Sequence, residues 1–141
     1  MLIVGAGIVG LALAYEALLQ GLHVSVIERH PRPVGATIRN FGMVWPIGQP
    51  PATLDRALRA RATWLQLANE AGIWAAESGS LHLAYRPEEW AVLEEFAATA
   101  RSRGYQTALL RPRQALEYSQ TINPEGLYGA LWSATEVNID P

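Results

Sequence analysis

The sequence predicts an α/β chain that opens with a strand, a glycine turn, a helix and a second strand, and then continues into a second part built on a mixed sheet. Three observations carry this. Residues 2–19 are almost wholly apolar, with Tyr15 and Glu16 as exceptions, and the run is interrupted by Gly5, Gly7 and Gly10. A second short apolar run, His23 to Glu28, follows closely. The later segments alternate strand-like and helix-like stretches, the pattern of α/β architecture.

Met1 to Val4 reads as a short buried strand, because Ile3 and Val4 are β-branched and the run is uninterrupted. Leu11 to Gln20 holds strong helix formers without Pro or Gly, and Gly21 is placed to stop the helix. His23 to Glu28 is the second strand, giving the start of a parallel βαβ unit. His30 to Pro51 is punctuated by Pro31, Pro33, Pro46 and Pro50 and by Gly35, Gly42 and Gly48. It is expected to be one long loop, ordered because it carries Phe41 and Trp45, which read as core anchors.

Thr53 is expected to cap a helix running to about Ala71, with Leu54, Leu58, Leu65 and Ala68 inward and Gly72 as its stop. Ser80 to Tyr85 alternates with period two and reads as a half-buried strand. A helix follows from Pro87, with Glu88 and Glu89 at its positive end, Arg101 and Arg103 at its negative end, and Gly104 as its stop. Arg111 to Tyr118 reads as a short helix, and Leu127 to Ser133 and Glu136 to Ile139 as strands. Strands in the second half lack an evident partner, and two parallel strands alone make an unstable sheet. The chain is therefore expected to be the front portion of a longer polypeptide.

Composition excludes several functions. The 141 residues carry a net charge of −2, so there is no basic footprint for nucleic acid. With no cysteine, thiolate metal sites, disulfides and cysteine nucleophiles are absent from the chain. His23, His30 and His82 lack metal-ligand spacing and read as surface or strand residues, so no metal site is expected. The apolar start lacks a preceding cation and is broken by glycines, so neither a membrane span nor an export signal is expected, and cytoplasm follows by default.

Gly5-Ala6-Gly7-Ile8-Val9-Gly10 matches G-x-G-x-x-G, the fingerprint of a Rossmann-type dinucleotide site. The pattern is weak alone. Here it follows a strand, opens a helix and is followed by an acid, Glu28, at the end of the next strand. Gly5 turns the chain out of the strand, Gly7 lets backbone approach a pyrophosphate, and Gly10 lets the helix pack on the sheet. The helix mouth offers unpaired N–H groups and positive dipole to phosphates. Glu28 can accept both ribose hydroxyls and repels a 2′-phosphate, which disfavours NADP and leaves NAD and FAD open. A plain glycine turn needs neither this spacing nor the acid. Arg29 beside it is a candidate for attracting a further phosphate, the alternative being a solvated loop charge.

Glu28-Arg29 followed by Gly35-Ala36-Thr37-Ile38-Arg39-Asn40-Phe41-Gly42-Met43-Val44-Trp45-Pro46-Ile47-Gly48-Gln49 resembles the second conserved block of the D-amino-acid-oxidase-like family of FAD-dependent oxidoreductases. Its Arg39-to-Gln49 form looks like a bacterial subgroup linked to aminophosphonate breakdown. Gly129-Ala130-Leu131-Trp132 and Asn138-Ile139-Asp140-Pro141 resemble more loosely the strands entering that family's substrate domain. The resemblance implies that Gly5, Gly7 and Gly10 hold the FAD pyrophosphate and Glu28 the adenosine ribose. It also implies that Ala36 and Thr37 lie by the phosphates, with the Thr37 hydroxyl as donor, and that Arg39, Asn40, Gly42 and Met43 run past the ribityl chain toward the isoalloxazine. Asn40 can alternatively fix the turn through its own side chain. No histidine lies between Val34 and Val44, so non-covalent FAD is expected.

The resemblance further implies residues 1–79 as the FAD-binding part and 80–141 as the beginning of a substrate domain. The implied activity is oxidation of the C–N bond of a small amine or amino acid, with an aminophosphonate as a candidate substrate, by hydride transfer to flavin and hydrolysis of the imine. No residue of the chain is assigned as the catalytic base. An NAD-dependent dehydrogenase and a non-catalytic fragment of a flavoprotein are the alternatives, and the oligomeric state is open.

Overall fold

The computed structural model describes residues 1–32 and 34–140, so Pro33 and Pro141, which the sequence places in the long loop and at the tail, lie outside the described residues. The chain forms two compact units, Met1–Gly42 and Met43–Asp140.

In the first unit, β1 (Leu2–Val4) leads through the glycine elbow into α1 (Ile8–Leu19), and the chain returns in β2 (Ser25–Ile27). β1 and β2 pair in parallel, with Ile3 opposite Val26, so the expected βαβ start is present. α1 ends as expected, with the Gly21 N–H on Leu18 O and the Leu22 N–H on Ala17 O closing its last turn. The expected burial of β1 is not observed. Only Ile3 is buried, and Val4 is 83% exposed, because the two-stranded sheet is covered on one side only by a helix whose own buried residues are Ala14 and Ala17.

The second unit holds more structure than the sequence suggests. The segment from His30 to Pro51 is not one loop: a 3₁₀ turn (Thr37–Arg39) belongs to the first unit, and a short strand, β3 (Met43–Val44), opens the second. α2 spans Pro51–Ala71 and starts earlier than expected. Thr53 is inside it, not its cap. The pre-set φ of Pro51 serves the first helical position, and Pro50 O accepts the first amides, from Thr53 and Leu54. β4 (Ala75–Ala76), β5 (Ser80–Ala84), α3 (Pro87–Ser102), β6 (Thr107–Leu110), α4 (Pro112–Tyr118), β7 (Gly129–Ser133) and β8 (Val137–Ile139) complete it.

The strands in this unit make two antiparallel sheets, ordered β3-β8-β4 and β5-β7-β6. β3, β4 and β6 were not expected, and they supply the partners that the later strands seemed to lack. α3 packs across the second sheet, and Glu89 Oε2 accepts the N–H groups of Tyr85 and Arg86 at its start. A core of Ile47, Leu54, Ala97, Ala100, Tyr105 and Leu131 forms beneath it, with Trp45 and Leu58 at the margin. The contacts divide the chain after Gly42 and not at residues 79/80. By contact, residues 43–79 belong with the later part of the chain, since β3 and β4 both pair with β8.

Candidate functional site

The elbow is built by the absence of side chains. Gly5 has φ +101, a conformation that L side chains rarely adopt. A Cβ on Gly10 would stand 2.0 Å from Gly5 O and 3.3 Å from Ile3 Cγ2. The first turn of α1 thus lies directly on the end of β1, as the sequence requires of Gly10. Gly7 has ordinary extended backbone, and its missing Cβ matters for space: it would come within 3.3 Å of Thr37 Oγ1.

Two side chains from distant positions tie this elbow together. Glu28 Oε2 accepts the Ala6 N–H at 2.9 Å, and its Oε1 accepts the His30 N–H at 3.0 Å. These two amides, Ala6 first, hold the exposed Glu28 carboxyl below the usual carboxylate range. A carboxylate has about four acceptor positions, so beside the Ala6, His30 and Arg29 amides it keeps room for a further donor. Thr37 Oγ1 accepts the Ile8 N–H at 3.0 Å. Thr37 therefore meets the helix mouth as an acceptor, and its hydroxyl hydrogen remains available to donate. The first amide of α1 that bonds back is Leu11, to Gly7 O at 2.9 Å. The N–H groups of Val9 and Gly10 have no partner among the described residues, as expected for a helix mouth.

Two hollows flank this point. The first, about 440 Å³, is lined by Ala6, Gly7, Glu28, Arg29, Ala36 and Thr37 together with residues 30–32, 34 and 35. The second, about 490 Å³, is lined by Ile3, Gly5, Val9, Gly10, Leu13 and Asn40 and shares Gly7, Ala36 and Thr37 with the first. Among the sequence-predicted residues, the structure brings together Gly5, Ala6, Gly7, Ile8, Val9, Gly10, Glu28, Arg29, Ala36, Thr37 and Asn40 around the hollows. Arg39 and Gly42 line neither. Met43 belongs to the second unit, where it pairs with Asn138. Asn40 fixes its turn, donating to Thr37 O at 2.7 Å and accepting the Gly42 N–H at 2.8 Å. Phe41 is 83% exposed and anchors no core, whereas Trp45 does pack on one. Arg29 Nε donates to His30 Nε2 at 3.0 Å.

A group of polar residues in the second unit was missed. Glu136 is fully buried and accepts three hydrogen bonds: from the Ile47 N–H at 3.2 Å, from the Ser80 hydroxyl at 3.1 Å, and from the Tyr105 hydroxyl. Ser133 Oγ lies 2.9 Å from the Tyr105 hydroxyl, and Ser80 Oγ lies 3.0 Å from His82 Nε2. Burial, reinforced by the bond to Glu136, pushes the Tyr105 hydroxyl above its ordinary pKa. Burial lowers that of His82 against the pull of the Glu136 charge. The one available signal was Ser80 and His82 sharing a face of the alternating strand. No group of acidic and histidine side chains among the described residues could hold a metal, and no helix among them is long and apolar enough to cross a membrane.

The elbow, the cradled acid and the hollow suit an adenosine diphosphate moiety: Gly7 leaves room, two helix amides are open, and Glu28 is aligned with room for a further donor. The chain is similar to one component of the anaerobic glycerol-3-phosphate dehydrogenase of Escherichia coli K12, with 25% identity over 100% of this chain and 26% of that protein. It is also similar to the solved structures of L-proline dehydrogenase from P. horikoshii (TM-score 0.90, 26% identity, 99% of this chain and 37% of that one) and of glycine oxidase from Geobacillus kaustophilus (TM-score 0.86, 26% identity, 99% and 40%). It thus spans about a quarter of the curated relative and less than half of either structure. A family model described as FAD dependent oxidoreductase matches residues 1–141. That match decides for FAD between the two dinucleotides that the glycine motif left open, and the chain belongs to the family of FAD-dependent oxidoreductases.

Proposed function

We propose that this chain supplies the adenosine diphosphate half of a non-covalent FAD site in an enzyme that oxidises the C–N bond of a small amine or amino acid. The observation that carries the reading is the bond from the Ala6 N–H to Glu28 Oε2, 2.9 Å, which fastens the acid of the second strand to the glycine elbow. In this reading the acceptor room left on Glu28 serves the ribose hydroxyls. The pyrophosphate lies over Gly7, against the open amides of Val9 and Gly10, with the Thr37 hydroxyl donating to it. Bound FAD supplies the acceptor for a hydride from the carbon that bears the nitrogen, and the imine product hydrolyses in water. The amine must be neutral to react, so its environment must lower its pKa.

The amine reading is supported by the activities of similar proteins, L-proline dehydrogenase and glycine oxidase. The narrower reading, an aminophosphonate substrate, rests on the sequence Arg39 to Gln49. Arg39, Gly42 and Met43 are proposed to lead toward the isoalloxazine, with residues 1–79 as the FAD-binding part and 80–141 as the beginning of the substrate domain. The test is titration of the protein with FAD, followed by flavin fluorescence. Binding that Gly7→Val abolishes supports the reading, and a Gly7→Val variant that binds FAD unchanged overturns the pyrophosphate assignment.

A further inference from the structure

The buried group around Glu136 has a direction, and hydrogen bookkeeping reveals it. A carboxylate only accepts, while each hydroxyl has one hydrogen to give. Ser80 gives its hydrogen to Glu136 Oε2 and Tyr105 gives its hydrogen to Glu136 Oε1. The remaining contacts are then settled. Ser133 must donate to the Tyr105 oxygen, and in turn it accepts the Thr135 N–H at 3.2 Å. The Ser80 oxygen, having spent its hydrogen, can only accept across the 3.0 Å contact to His82. The hydrogen in that contact therefore sits on His82 Nε2.

We propose that Glu136 acts through the Ser80 hydroxyl to hold neutral His82 with its hydrogen on Nε2, which leaves His82 Nδ1 as a hydrogen-bond acceptor. The class of group it would take is a protonated amine or another acidic N–H or O–H donor. Nδ1 has no hydrogen-bond partner among the described residues. The neighbouring ring is Trp45, edge-on at 5.7 Å between centroids, and its buried indole N–H is also unpartnered among them. Two adjacent rings thus each keep an unfilled polar position, one accepting and one donating. Among the described residues His82 lies on an edge strand, since β5 pairs there with β7 alone. Glu136 and Ser80 are positioning residues in this arrangement. The inference concerns the second unit alone and does not depend on FAD binding.

The isosteric change Glu136→Gln makes a directional forecast. The Oε1 position receives the Ile47 backbone N–H, which cannot turn round, so the glutamine carbonyl takes that place. Its NH₂ then faces Ser80 and donates to it. The buried Ser80 hydrogen then finds a partner only by turning to His82 Nε2, and the ring moves its hydrogen to Nδ1. The experiment is nitrogen-detected NMR of the histidine side chains at about pH 8.5, well above the ordinary imidazole range. Wild-type His82 should show the Nε2–H pattern and Glu136→Gln the Nδ1–H pattern. In a Ser80→Ala background, Glu136→Gln should leave the His82 pattern unchanged. A wild-type His82 that carries its hydrogen on Nδ1, or that divides it between the two nitrogens, overturns the proposal even if the variant fails to fold. So does a folded Glu136→Gln protein whose His82 keeps the Nε2–H pattern.

Discussion

The two units solve opposite problems. Met1–Gly42 contains the most apolar stretch of the sequence, yet β1 buries only Ile3 and α1 only Ala14 and Ala17, while Val9 is 72% exposed. Met43–Asp140 is more polar in sequence, yet it packs Leu54, Ala100, Leu131 and Val137 to zero exposure and encloses a carboxylate as well. Hydrophobic sequence is therefore not the same as hydrophobic core. The first unit is shaped by steric contact at Gly10 and by side-chain bonds from Glu28 and Thr37 to backbone amides. The second is shaped by burial, and the carboxylate at its polar centre takes hydrogen bonds from Ile47, Ser80 and Tyr105.

This contrast predicts where substitutions act. The largest effect belongs to the packed unit. Leu131→Ala leaves a cavity in a fully buried position and should cost about 2–5 kcal/mol, read as a fall in the denaturant midpoint. A loss under about 1 kcal/mol would show that this core is loosely packed. Next is Gly10→Ala, which adds few atoms but places one 2.0 Å from Gly5 O. Overpacking of this kind costs about 1–3 kcal/mol. Its effect should appear as faster amide hydrogen exchange in residues 1–28, with the second unit unchanged. Glu28→Ala removes an exposed side chain, so global unfolding should barely move, while FAD affinity should fall roughly tenfold to hundredfold. Equal affinity in a titration would remove the ribose role.

The smallest effect is one of pH. Burial lowers the pKa of His82 in the folded chain, whereas the unfolded chain binds its proton near about pH 6.5. Below that pH the unfolded state takes up a proton that the folded state resists. Stability should fall as pH drops from about 6.5 toward the lower folded value and should not depend on His82 above it. His82→Gln should flatten this part of the profile in urea unfolding measured between about pH 5 and 8. An unchanged slope would show that His82 is not held neutral.

How much was legible in the sequence depends on the range of the interactions. The glycine elbow, α1 and the placing of Glu28 beside the elbow could be read because each arises from local backbone rules or from one short βαβ crossover. β3 and β4 could not, since a two-residue strand has no period and exists only by pairing with β8, far along the chain. The start of α2 was misread because Thr53 has the chemistry of a cap, while Pro51, two positions earlier, has the backbone for it. Phe41 looked like an anchor because aromatic residues usually are; nothing local reveals that its ring faces solvent. Glu136 reads in the sequence only as the first residue of the last strand. Its burial depends on Ile47, Ser80 and Tyr105 arriving from three separate segments.

Thr37, with Gly7 and Ala36, forms the wall common to both hollows of the first unit. That wall works as a saddle. A compact molecule can settle on one flank and leave the other empty, whereas a long one must drape across the crest and engage both. Any ligand that engages both hollows has to pass over Gly7, Ala36 and Thr37.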